Sequence, residues 1–251
     1  MIADIMRGLA MTFSLYSKIP MPNVEWKEEN MKYVMCFFPL VGIVHGLLWI
    51  FWWILCSKIS SVILFRVLTC SALPFLLDGG IHFDGFLDVC DALHSYSDRE
   101  KKLEILKDPH IGAFAVIYAM IYIMLWIAAV SLIERKDIFI GGVVFCAARA
   151  LSSITFVSFN SAKKDGMQNT VSKASDKKLV QITSVLYLIV CFLAIVFESP
   201  YKAFMFLLVG AAMTFVYHHM AYKNFGGITG DTAGWYFELT TLAMFFVIGL
   251  I

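Results

Sequence analysis

Residues 59–93, ISSVILFRVLTCSALPFLLDGGIHFDGFLDVCDAL, run from a hydrophobic stretch directly into four aspartates. A helix needs about 20 apolar residues to cross a bilayer, and 59–77 meets that length with one interruption, Arg66. Residues 78–95 are too polar to span and are expected to form a short helix at the membrane face or a re-entrant piece. Carboxylates beside hydrocarbon are costly and mark function by default. Asp84, Asp88 and Asp91 recur at i, i+4 and i+7, so a helix projects all three from one face. Three like charges on one face repel unless a hard divalent cation lies among them. Mg²⁺ with a phosphorylated ligand suits such an all-oxygen site. The plain alternative is an interfacial helix whose aspartates face water.

The rest of the chain extends this pattern. Hydrophobic residues make up 60% and charged residues 16%, against about 45–50% and about 25% in soluble domains. The apolar residues come in blocks, which predicts an all-α, polytopic integral membrane bundle forming one domain over 1–251. The blocks fall at 33–56, 59–77, 112–133, 138–159, 179–198, 201–222 and 231–251, giving six or seven transmembrane helices. Residues 1–17 place Ile2, Ile5, Met6, Leu9, Phe13 and Tyr16 on a helical period, as in an amphipathic interfacial helix within a non-spanning 1–32 segment. The six cysteines stand singly with no CxxC pair, as small apolar packers do. The net charge of +1 and the lack of a basic stripe give no sign of a nucleic-acid partner. Membrane lipid is the expected surrounding, and a homo-oligomer is compatible with it.

With the N-terminus inside, the inner segments hold fourteen Lys and Arg and the outer loops four. Positive charge favours the cytoplasmic side. The orientation is therefore N-in and C-out in the cell (inner or plasma) membrane. It puts the Asp-rich 78–111 segment, the 160–178 loop and the GGITGD turn together on the cytoplasmic face, where an active site at the membrane–cytosol boundary would sit.

Each polar segment has a chemical reading and a bland one. Gly79 and Gly80 permit a sharp turn and close backbone approach to a ligand. His82 is a candidate base, a hydrogen-bond donor to phosphate or a partner behind the metal ligands. In DREKKLEILKDPHIGAF (98–114), Lys107 would neutralise a phosphate and Asp108 complete a metal shell; otherwise they are an interfacial lysine and a helix cap. In FGGITGDTAGWYFEL (225–239), Thr229 and Asp231 are candidate N-caps. With Gly230 they would form a cradle for phosphate or nucleotide, or an ordinary turn. Glu238 lies seven residues past Asp231 and needs a partner, Arg149 or Arg66. Arg149, inside a span, either binds a ligand phosphate bidentately or pairs with a carboxylate. The 160–178 loop, with Lys163-Lys164 and Asp165-Gly166, is either a lid for an anionic substrate or a solvated topogenic loop. His218 and His219 read as interfacial. Asp78 lies off the triplet's face. No GxxxxGK[ST], Rossmann fingerprint, GxSxG or HExxH occurs. A Mg²⁺-bound polyaspartate site suits displacement at phosphorus.

Five ordered elements carry a family resemblance: YSKIPMP (16–22), FPLVGIVHG (38–46), GGIHFDGFLDVCDAL (79–93), LEILKDPHIGAF (103–114) and GGITGDTAGWYFEL (226–239). Together they resemble the cobalamin synthase family, the adenosylcobinamide-GDP ribazoletransferases. The resemblance implies that α-ribazole or its 5′-phosphate attacks adenosylcobinamide-GDP and GMP leaves, the last nucleotide-loop step of cobalamin assembly. It implies metal on Asp84, Asp88 and Asp91 and His82 as a base. It also implies that Lys107, Asp108 and the Thr229–Asp231 turn contact the diphosphate or nucleoside. Ala92 stands where the family often has Gly, and Pro109-His110 replaces a common Ser-Arg, which leaves His110 a weak phosphate contact near neutral pH. The aspartate spacing also resembles that of CDP-alcohol phosphotransferases, the alternative phospholipid synthase reading, although their full motif is absent. A transporter would instead spread ionisable residues through the midplane of several spans.

Overall fold

The computed structural model describes residues 2–25, 27–163 and 166–251; Lys164 and Asp165 of the polar loop lie outside the described residues. The described residues form α-helices: α1 (Ile2–Tyr16), α2 (Glu28–Met31), α3 (Val34–Ile59), α4 (Ile63–Asp78), α5 (Ile81–His94) and α6 (Arg99–Ile105). They continue as α7 (Ala113–Ser131), α8 (Ile138–Ser158), α9 (Met167–Ala174), α10 (Lys177–Glu198), α11 (Pro200–Phe225) and α12 (Gly230–Leu250). Among them α3, α7, α8, α10, α11 and α12 are long and apolar enough to cross a membrane. The protein is a multi-pass helical membrane bundle. The hydrophobic blocks became helices close to their expected limits because nothing inside them favours another backbone state.

The remaining apolar block forms a bent helix pair. α4 and α5 meet at 94°, and Gly79 and Gly80, with φ of 69° and 75°, make the corner. Both angles are left-handed, where a side chain would be strained. Asp78 Oδ1 accepts the Gly80 N–H at 2.8 Å, and Leu77 O accepts Lys18 N–H at 2.7 Å, tying the end of α1 to the corner. α5 is therefore a short helix turned away from α4 and is not itself a span.

α8 is the central element and is buried along nearly its whole length. Gly42 and Gly46 of α3 face the backbone at Phe145 and Gly142 of α8, where a Cβ would collide. Such small-residue spacing lets membrane helices pack closely. α7, α10 and α11 instead expose large apolar side chains such as Met124, Val190 and Phe215 on their outer faces, the surface expected against lipid. All six cysteines are buried and unpaired.

Two buried charge sets bind the bundle. Lys202 donates to Asp137 Oδ1 at 2.6 Å and to Ile248 O at 2.8 Å. Deeper in, Arg149 is 1% exposed. It donates to Phe145 O at 3.1 Å and to His45 Nδ1 at 2.9 Å, and it lies 4.0 Å from Asp78 and over the Phe237 ring at 4.7 Å. Arg149 thus pairs with a carboxylate inside the protein. That carboxylate is Asp78, which the sequence pattern had set aside. Glu238 takes neither Arg149 nor Arg66 as its hydrogen-bond partner: its Oε2 accepts the Tyr122 hydroxyl at 2.5 Å. Arg66 lies over Trp53 at 4.3 Å and donates to Ser57. Spacing along one chain could not show that Tyr122 of α7 approaches α12.

Candidate active site at one end of the bundle

The polar segments predicted to converge do so, and backbone contacts fix them. A Cβ on Gly85 of α5 would lie 2.8 Å from Asp231 Cα, and one on Gly234 of α12 would lie 2.6 Å from His82 O. α5 and α12 therefore touch backbone to backbone, which brings Asp84 and Asp88 beside Asp231. The 160–162 segment pairs with the turn before α12: Ile228 N–H donates to Asn160 O at 2.9 Å and Ala162 N–H to Ile228 O at 2.8 Å. That pairing carries Lys163 to within 3.9 Å of Asp231 Oδ2. Lys102 of α6 donates to Asn224 Oδ1 at 2.8 Å at the end of α11, which holds the 98–111 segment at the same end.

Each predicted residue can now be placed. Asp84 is exposed and Asp88 half-buried. Burial first, then the charges of Asp84, Asp231 and Asp91, push the Asp88 carboxyl up to about 7. Asp91 is engaged differently: its two oxygens accept Gly112 N–H at 2.7 Å and Ala115 N–H at 2.9 Å, capping the start of α7. Thr229 is the N-cap of α12 and exchanges hydrogen bonds with Thr232 in a capping box. Its hydroxyl also donates to Asp231 Oδ2 at 3.3 Å. Gly230 is exposed beside Gln168. Lys107, Asp108 and His110 are exposed. Asp108 accepts both His110 N–H and the His110 ring at 3.0 and 2.7 Å, and these bonds hold its carboxyl below the usual range. Half-burial lowers Lys163; Asp231 opposes that shift, and the charge of Lys107 adds to it.

His82 is buried, 7% exposed, with its ring 4.4 Å from Phe237 and 5.6 Å from Phe38. Burial, and secondarily Arg149, hold it well below the usual imidazole range, so it is neutral and a poor proton acceptor. Arg149 and Glu238 lie inside the bundle behind this residue. Gly79 and Gly80 form the α4–α5 corner beside Lys18.

The donor chemistry around Asp88 fits a hard cation: carboxylate oxygens from Asp84, Asp88 and Asp231 with Lys163 as the flanking cation. No group of three His, Cys, Asp or Glu side chains among the described residues is gathered tightly enough to hold an ion alone. A Mg²⁺ ion held there would take one or two of these carboxylates and complete its shell with water and substrate phosphates. Lys163 and Asp231 had only generic signals in the sequence, a lysine pair and a turn; the α5–α12 crossing gives them their place.

A cleft of about 230 Å³ opens beside these carboxylates, lined by Asp84, Gly230 and Asp231 at one side and by aromatic residues of α1, α3, α8 and α12.

Fold and site together define a polytopic membrane protein with acidic and basic groups gathered at one end, the layout of an enzyme acting on a phosphorylated substrate at a bilayer face. The chain belongs to the cobalamin-5-phosphate synthase family, whose model matches residues 8–249, and it is an enzyme of cobalamin biosynthesis. It is 38% identical to the adenosylcobinamide-GDP ribazoletransferase of Lachnoclostridium phytofermentans, over 92% of this chain and 88% of that one. It is 33% identical to the protein of that name from Clostridium botulinum, over 92% of each chain. With the one from Clostridium perfringens it shares 28% over 98% of each. No solved structure matches the chain.

Proposed function

We propose that this enzyme joins α-ribazole, or its 5′-phosphate, to adenosylcobinamide-GDP with release of GMP. The gathering of Asp84, Asp88 and Asp231 with Lys163 at one end of a membrane bundle, in a chain whose relatives carry the ribazoletransferase name, supports this reading. In the reaction the ribose 3′ oxygen forms a bond to the cobinamide-bearing phosphorus. The bond from that phosphorus to the bridging oxygen breaks, and GMP leaves with that oxygen. The hydroxyl proton passes to a carboxylate at the site, for which Asp231 and Asp88 are the candidates.

Asp84 and Asp88, with Asp231, would hold Mg²⁺, which when bound neutralises charge on the phosphoryl oxygens. Lys163 and Lys107 supply positive charge to the diphosphate from the open side. His82, neutral and buried, serves as a hydrogen-bonding wall in place of the base first expected of it. Asp91 holds α7 against α5 and so fixes the face that Asp84 and Asp88 share. The charge bias supports a cytoplasmic position for this end at the plasma membrane, with bilayer lipid around the apolar helices.

The test is an assay of the purified protein in detergent, following GMP from adenosylcobinamide-GDP. GMP should form only when α-ribazole or its phosphate is added; release independent of either would remove the reading. For orientation, Thr170→Cys on exposed α9 should be labelled from the cytoplasmic side alone, since the native cysteines are buried.

A further inference from the structure

The cleft beside the carboxylates has an unusual lining. Tyr16, Phe38, Phe156 and Phe237 give it aromatic walls, and Met35 and Val171 add apolar surface. Two residues of the same lining carry a buried polar atom without a hydrogen-bond partner: His82 at Nε2 and Ser152 at Oγ. His82 and Ser152 are 7% and 5% exposed. Gln168 meets Ser161 through its side-chain amide at 2.8 Å. Buried polar groups almost always have partners. Two orphans in the wall of one apolar cleft are the polar handles of a ligand pocket, which characteristically sets a few such groups in an apolar wall.

We infer that this cleft seats the heteroaromatic base of the nucleoside acceptor, with its ribose at the mouth between Asp84 and Asp231. The inference rests on the proposed reaction and adds the position and orientation of one substrate. A dimethylbenzimidazole is flat, apolar and carries one free ring nitrogen that accepts a single hydrogen bond. It would cover the aromatic walls with its ring and methyl groups and take that bond from His82 or Ser152. Guanine presents polar atoms along most of its rim and would leave several unpaired against Phe38, Phe156 and Phe237, which is costly. A corrin ring is far larger than about 230 Å³. With the base inside, the ribose hydroxyls emerge beside the carboxylates, where the attacking oxygen is needed.

The experiment uses the full-length protein in detergent, with two readouts: equilibrium binding of radiolabelled α-ribazole alone, and steady-state KM for each substrate. Ala233 lines the cleft, so Ala233→Phe fills it. This variant should weaken α-ribazole binding and raise its KM at least about tenfold, while the KM for adenosylcobinamide-GDP stays within about twofold, which also reports that the variant is folded. Ser152→Ala, a milder change, should move the α-ribazole KM in the same direction. Replacing the acceptor by its unmethylated benzimidazole riboside should cost about fourfold per methyl. An unchanged α-ribazole KM in both variants, or a rise in the adenosylcobinamide-GDP KM instead, overturns the assignment. Wild type that binds α-ribazole in an Ala233-sensitive way but releases no GMP would sink the proposed reaction and leave the cleft assignment standing. Wild type with GMP release but no effect of either variant does the reverse.

Discussion

Asp78 and Asp84 stand six residues apart, yet the fold treats them in opposite ways. Asp78 ends α4 inside the protein, caps Gly80 and faces Arg149, which also meets His45 and the Phe237 ring. Close by, Glu238 is bonded to Tyr122. Asp84 lies past the corner, exposed, among Asp88 and Asp231, with Lys163 as the flanking cation. The interior set is a nearly completed network that holds α4, α8 and α12 together. The set at the end carries three carboxylates against the one flanking lysine and borders the open cleft. One turn of two glycines separates a buried, paired carboxylate from an exposed one.

The sharpest way to break this comparison is to neutralise each side. Asp84→Asn and Asp88→Asn should each lower GMP release about 1,000-fold, the scale of losing one electrostatic group in a reaction centre, with thermal stability unchanged or raised. Arg149→Met should do the opposite. It leaves Asp78 buried without its cation, so it should cost about 3–5 kcal/mol, read as a fall in the thermal midpoint in detergent. If Arg149→Met lost activity at full stability, the interior set would belong to the reaction.

Asp91→Ala sharpens the same division within α5. The two N–H groups at the start of α7 would lose their cap, worth about 1 kcal/mol, and turnover should fall less than about tenfold. A loss matching that of Asp84→Asn would return Asp91 to the metal shell. A further expected effect is a pH slope. Burial and neighbouring charge raise the Asp88 carboxyl from 3.8 to about 7. The folded protein therefore holds a proton there that the unfolded chain has already released. Between about pH 4 and 7 stability should fall as pH rises. Asp88→Asn should flatten that part of the profile, as should added Mg²⁺, which favours the ionised form.

Much of this was legible in the sequence, for reasons that vary by element. The spans are long apolar blocks, so their helices fall within about one turn of the expected limits. The break between α4 and α5 is written in Gly79-Gly80 and in the change of polarity after Leu77. The convergence of segments at one end followed from helix order. The sequence could not say which carboxylates remain free. Asp91 sits in phase with Asp84 and Asp88, and only the approach of α7 engages it. Asp78 fell outside the pattern because its partner, Arg149, comes from α8. Glu238 found a tyrosine where a cation was expected. The cleft was least visible: Tyr16, Phe38, Ser152 and Phe237 come from four helices, and each alone looks like an ordinary packing residue.

Asp84, Asp88 and Asp231 are proposed to form a cation site for displacement at the diphosphate. The direct measurement is GMP release by the purified wild-type enzyme, stripped with EDTA and then titrated with Mg²⁺, beside Asp231→Asn. Expected are no turnover after stripping, recovery that saturates with Mg²⁺, and a requirement for much higher Mg²⁺ in Asp231→Asn. Undiminished turnover in excess EDTA would contradict it.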